Sequence, residues 1–192
     1  WTNGWQGRAQ FVLIKQAATI GDRGIEADNN EANNDSSPRA QPILSNLTII
    51  GRAGDSATQG VLLRRGTGAN IWNSVITGSP TCLTIDGAAT FANAGVPGSL
   101  TGSLTIQNSF VNCAANFADG DDATFTTSDW FLSQSENVAG DPLLGGYLPA
   151  AGSPLTLGGA AVSDAFFTPV DYSGAFKDAN GDWTKEWTIN FN

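Results

Sequence analysis

Five residues of this 192-residue chain could act on a polymer: Glu26, Asp28, Arg64, Arg65 and Asp86. Carboxylates can hold a Ca²⁺ while an arginine handles a proton, as in eliminative cleavage of a polysaccharide, and a close carboxylate pair can instead hydrolyse a glycosidic bond. Gly24-Ile25-Glu26-Ala27-Asp28, Gly60-Val61-Leu62-Leu63-Arg64 and Cys82-Leu83-Thr84-Ile85-Asp86 place Asp28, Arg64 and Asp86 at the same point of three similar segments. If those segments stack, the three form an acid, base, acid column at about 4.8 Å per step. Such a column is an active-site face or a surface ion ladder. The ladder is favoured, because no strand concentrates carboxylates and no His, Tyr or Lys stands beside the column.

Calcium is expected, if at all, as a structural ion. The stretch from Asp28 to Asp35 is rich in oxygen ligands, with Asp28, Asn30 and Asp35 as candidates, and Asp178, Asn180 and Asp182 alternate as in calcium loops. Neither matches an EF-hand. The competing reading is a turn whose Asn and Asp side chains satisfy their own backbone. Asp119, Asp121 and Asp122 form a third acidic turn with the same two readings.

The elements that position these residues are repeats. In the first family the second and fourth positions are apolar, as a strand with one buried face requires, and a weaker copy lies around Phe117. A second family reads Asn46-Leu47-Thr48-Ile49-Ile50-Gly51, Asn73-Ser74-Val75-Ile76-Thr77-Gly78 and Asn108-Ser109-Phe110-Val111-Asn112-Cys113; Phe11-Val12-Leu13-Ile14-Lys15-Gln16 aligns with it, with Phe11 in place of Asn. Fixed motifs at variable spacing imply rungs of constant cross-section with unequal loops. The expected fold is therefore all-β, a right-handed parallel β-helix (solenoid) with an irregular C-terminal cap. Asn46, Asn73 and Asn108 are expected to form a ladder at a bend, each amide bonding the next and the turn backbone. The glycosylation sequon at Asn46-Leu47-Thr48 is then a coincidence.

The repeat fades near residue 120. Residues 1–120 are read as the last coils and 121–192 as a cap of the same domain, covering the open end of the stack. Its aromatics, Trp130, Phe131, Phe166, Phe167, Tyr172 and Phe176, are expected as plugs, with a carbohydrate platform as the alternative. Trp1 and Trp5, and Trp183 and Trp187, form two related pairs that could pack against coils or stack on sugars.

Composition narrows the class. Lys and Arg number 9 against 18 Asp and Glu, so the net charge of −9 disfavours nucleic acid and anionic membranes as partners. No apolar run is long enough to span a membrane. Cys82 and Cys113 predict one structural disulfide, with two buried thiols as the alternative, and the absence of His argues against zinc or copper. A chain that starts at Trp1 and contains no Met is read as a fragment of an exported precursor.

The order of Trp1-Thr2-Asn3-Gly4-Trp5, Gly24-Ile25-Glu26-Ala27-Asp28-Asn29-Asn30, Asn46-Leu47-Thr48-Ile49-Ile50-Gly51, Leu62-Leu63-Arg64-Arg65-Gly66-Thr67-Gly68, Asp129-Trp130-Phe131, Gly152-Ser153-Pro154 and Asp182-Trp183-Thr184 resembles the C-terminal half of a family of bacterial exported, lipoprotein-like right-handed parallel β-helix proteins. That resemblance implies a Gram-negative surface or secreted location and N-terminal coils beyond this segment, and it implies no activity. The expected function is a non-catalytic structural, adhesive or assembly module. The alternatives are a polysaccharide lyase or glycoside hydrolase, and a glycan- or calcium-binding module. Expected partners are the preceding coils, a second copy or surface glycans.

Overall fold

A computed structural model describes residues 1–54, 57–186 and 188. The chain makes successive passes between two parallel sheets. The first pass contributes β1 (Arg8–Lys15) and β2 (Arg23–Ala27), and the second β3 (Ile43–Ile50) and β4 (Gln59–Leu63). The third splits its first strand into β5 (Ala69–Trp72) and β6 (Val75–Thr77), then adds β7 (Thr81–Ile85). A short helix α1 (Ala88–Ala94) and the hairpin β8 (Gly95–Val96) and β9 (Ser99–Leu100) intervene before β10 (Leu104–Gln107), β11 (Phe110–Asn112) and β12 (Ala115–Asp119). Helix α2 (Thr127–Leu132), β13 (Val138–Ala139) and the hairpin β14 (Leu144–Gly145) and β15 (Leu148–Pro149) follow.

Outside the two antiparallel hairpins, the strands pair in parallel with their counterparts in the neighbouring pass. One sheet runs β2, β4, β7, β12, and the other runs from β1 through β3 to β5 and β6, then β10 and β11, and ends on β13. Ile25, Val61, Leu83 and Phe117 align in register, as do Ala27, Leu63, Ile85 and Asp119. The apolar members of these rows face Leu47, Ile49, Ile76, Ile106 and Val111 from the other sheet in one core. The alternation in the first repeat family is thus the signature of a single buried face.

Two backbone features set the cross-section. Gly24, Gly60 and Cys82 are equivalent by register. A Cβ on Gly24 would stand 2.6 Å from Ile49 Cγ2, and one on Gly60 2.4 Å from Ile76 Cγ2, so the sheets converge there closely enough to require glycine. In the third pass Cys82 fills the position and is joined to Cys113 by a disulfide, with Cα atoms 5.5 Å apart. At the opposite corner the chain bends through left-handed residues, Phe11 (φ 57°), Asn46 (57°), Asn73 (50°), Asn108 (51°) and Glu136 (53°). Asn is the non-glycine residue best suited to this conformation, which accounts for its recurrence.

These bend residues lie in one file, but their amides do not bond one another directly. Asn73 Nδ2 donates to Ser45 Oγ (3.2 Å), which donates to Asn46 Oδ1 (2.9 Å). Asn46 Oδ1 also accepts from Gln10 Nε2 at 3.1 Å, and further bonds go to the segment 158–174. Asn46 Nδ2 donates to the carbonyls of Tyr172 and Gly174, Asn108 Nδ2 to that of Gly158, and Asn73 exchanges two 2.8 Å bonds with the backbone of Ala160. In the first pass Gln10 does the same with Thr168.

The segment expected to close the end of the stack therefore runs along its flank as a strap. The end itself is met by residues 127–139. Trp130 and Phe131 of α2 are fully buried, and Gln134 Oε1 accepts from the N–H of Ile106 while Asn137 Nδ2 donates to its carbonyl. Side-chain amides thus satisfy the backbone that another strand would have paired. Of the remaining expected plugs, Phe167 and Phe176 are buried, Tyr172 is half-buried and Phe166 is exposed.

Candidate functional site

The charged column stands at the C-terminal ends of β2, β4 and β7. Backbone bonds from Arg64 N to Ala27 O and from Asp86 N to Leu63 O keep Asp28, Arg64 and Asp86 on consecutive strands. Asp28 is only 8% exposed and receives two guanidinium groups, Arg64 Nε on Oδ1 and Arg65 Nη1 on Oδ2, both at 2.8 Å. Arg64 Nη2 also pairs with Glu26, and Arg65 Nη2 with Glu31 at 2.8 Å. Arg65 reaches across because it sits at φ 51° ahead of Gly66, whose absent Cβ leaves room for the carbonyl of Asn34. Asn29, fully buried, organises the adjoining loop by donating to the carbonyls of Asn34 and Ser36 and accepting from Ala40 N.

Asp86 stands apart from this network. Its Oδ1 accepts from Asp121 N at 2.7 Å, over Gly120, where a Cβ would collide with it. Burial tends to lower the proton affinity of Arg64, but the hydrogen bond and charge of Asp28, and then the charges of Glu26 and Asp86, outweigh it and raise the pKa above its ordinary value. A general base needs a pKa near the working pH, so this environment moves Arg64 away from that role. Glu31 and Asn29 were not singled out in the sequence; the run Asp28-Asn29-Asn30-Glu31 carried the signal, but only the turn at Arg65 brings Glu31 into reach.

The calcium candidates lie in two separate loops, and Asp28, Asn30, Asp35, Asp178 and Asp182 already hold protein partners. Asp28 is held by arginines, Asn30 bonds Asn3 and Asn33, and Asp35 pairs with Arg39. Asp178 Oδ1 caps the N–H groups of Asn180 and Gly181, while Asp182 accepts from Thr184 and from the Tyr147 hydroxyl. The Thr184 hydroxyl, with help from its backbone and Tyr147, holds the Asp182 pKa below the usual carboxylate value. Among the described residues no group of three or more His, Cys, Asp or Glu is arranged to hold a metal.

Two of the clefts away from the column are notable. One of about 550 Å³ follows the outer edge of β12 beside α2 and includes Asn116, Asp119 and Asp129. The other, about 350 Å³, lies where the strap crosses the first bend and is lined by Phe11, Tyr172, Ala175, Lys177, Gly181 and Trp183.

A family model described as a pectate-lyase-like beta helix domain matches residues 1–149, most of the chain. The chain belongs to the pectate-lyase-like β-helix family. The match spans both parallel sheets of the β-helix and the end-covering segment, and stops short of the strap. Curated proteins gave no match, and neither did solved structures. Among the described residues of this β-helix no helix is long and apolar enough to cross a membrane. In the first tryptophan pair Trp1 packs on the core and donates to Thr67, while Trp5 lies 6.2 Å from it and is 42% exposed. In the second, Trp183 stacks on Phe176 at 5.1 Å and donates to Ala175 O, and Trp187 lies outside the described residues.

Proposed function

We propose that this β-helix is a non-catalytic extracellular or cell-surface module with a structural, adhesive or assembly role, wound right-handed as parallel crossovers of this kind are. The observation that carries the reading is the closure of the charged column on itself. Glu26, Asp28 and Glu31 pair with Arg64 and Arg65, so both guanidinium groups are fully matched by carboxylates, and Asp28 is buried among them. A general base must give up its proton near the working pH, and the raised pKa of Arg64 works against that role.

The disulfide supports an oxidising compartment, and the surface of a Gram-negative bacterium is the proposed location. At one side of the stack β1 pairs with β3 alone among the described residues. Its outer edge suits a further parallel strand, from a preceding coil or a second copy. Surface glycans are the other proposed class of partner.

The family description favours a second reading, a polysaccharide lyase or hydrolase. A depolymerisation screen separates the two. Neutral and acidic polysaccharides are incubated with the protein in Ca²⁺ and in EDTA, and reducing ends and unsaturated products are followed. The structural reading expects no cleavage in either condition, and cleavage that disappears in Arg64→Ala overturns it.

A further inference from the structure

The cleft beneath the strap departs from the pattern of the other bends. Every other described bend in the file has a polar residue at its left-handed position, Asn46, Asn73, Asn108 or Glu136, whereas the first has Phe11 at φ 57°. A bulky aromatic is a costly choice there, and an amide would serve the bend better. Phe11 nevertheless remains half-buried, with its ring stacked on Tyr172 at 6.4 Å and 21°. Trp183 forms another wall, backed by Phe176 at an interplanar angle of 14°. Its indole N–H is turned inward to Ala175 O, so the ring lines the cleft with its apolar surface.

The polar groups at this cleft are donors. Lys177 is exposed and forms no ion pair with a described residue, and the Tyr172 hydroxyl has no described hydrogen-bond partner. The nearest carboxylate in sequence, Asp178, caps its own turn, and Asp171 is exposed next to Tyr172. Burial and then the charge of Asp171 keep the Tyr172 hydroxyl protonated to above its ordinary pKa, so it remains a donor.

We infer that this cleft binds a neutral polysaccharide, with the flat CH faces of equatorial pyranose rings laid on Phe11, Tyr172 and Trp183 and ring hydroxyls accepting from Lys177 and Tyr172. Three aromatic surfaces suit a ring that is apolar on its faces and polar at its rim. The volume, about 350 Å³, falls within the range of small-ligand sites and fits a short stretch of sugar chain. The overall charge of −9 selects a neutral polymer over an acidic one, since a polyanion would be repelled as it approached. The inference is independent of whether the arginine column is structural.

Calorimetric and tryptophan-fluorescence titrations test it, with hexasaccharides of β-1,4-glucan, β-1,4-mannan and β-1,4-xylan as neutral probes and oligogalacturonate as the acidic one. At least one neutral probe should bind saturably, and the acidic probe about tenfold more weakly or not at all. The decisive variant is Phe11→Asn, which installs the residue that the other bends use. It should melt no lower than the parent and lose about tenfold or more in affinity, while Lys177→Met loses severalfold. No saturation by any neutral probe, or unchanged affinity in a folded Phe11→Asn protein, overturns the inference. Tighter binding of oligogalacturonate that Lys177→Met abolishes overturns the neutral assignment. A cleavage activity lost in Arg64→Ala would contradict the proposed function and leave this result untouched.

Discussion

At the residue scale, exposure decides which charges matter. The Asp28 side chain is 12% exposed and carries two arginines, whereas Glu31, on the same network, is 76% exposed. Removing Asp28 costs both guanidinium groups their buried acceptor and leaves them only the more exposed Glu26 and Glu31, but removing an exposed partner forfeits a screened contact. Asp28→Ala is therefore expected to destabilise by about 2–4 kcal/mol and Glu31→Ala by about 0–1 kcal/mol in urea unfolding. Equal effects would mean that burial does not govern this network. Asp28, Arg64 and Asp86 were legible as a column because equal spacing from a repeated apolar pair fixes equal register. Their chemistry was not legible: the reach of Arg65 depends on its φ of 51°, and the departure of Asp86 depends on a bond to Asp121, 35 residues away.

At the element scale, the strap is the part that the sequence concealed. Strands announce themselves by alternation, and the side-chain amides of Asn46, Asn73 and Asn108 recur, but the backbone they bind at 158–174 has no period. Its contacts join residues up to 158 positions apart, far beyond any local pattern. For the same reason the whole segment after residue 120 reads as end cover, whereas Gln134 and Asn137 do that work close to the last rung. Asn73 carries the most strap contact, with a side-chain bond to and from Ala160 and a bond from Gly174 N to its carbonyl, and it adds a bond to Ser45, in a left-handed conformation that Ala resists. Asn73→Ala should cost about 2–4 kcal/mol and raise amide exchange across 158–174 more than in the sheets, as read by hydrogen exchange.

The strap should also respond to acid. The Phe166 N–H first, and the Arg8 guanidinium second, hold Asp164 below its ordinary carboxylate pKa. Because the folded value is the lower one, this tether is complete above the ordinary value and is lost as pH falls through the lowered value. Exchange at 164–168, corrected for intrinsic rates, should accelerate below about pH 4, and Asp164→Asn should remove that dependence.

At the scale of the whole molecule, one family of contacts sets the architecture: like residues on consecutive parallel strands, closed at one corner by a left-handed bend and pinched at another by glycine. The disulfide pins the third pass across a separation of 31 residues. Loop-closure entropy for that span gives about 3–4 kcal/mol, so a Cys82→Ser, Cys113→Ser double variant should unfold at correspondingly lower urea with little change in secondary structure. The central claim is that the charged column clamps neighbouring strands, and a double-mutant cycle on Asp28 and Arg64, read by global urea unfolding, tests it most directly. The two substitutions should be strongly non-additive, with a coupling of about 1–3 kcal/mol. Additive losses would contradict the claim and leave the column free for another purpose.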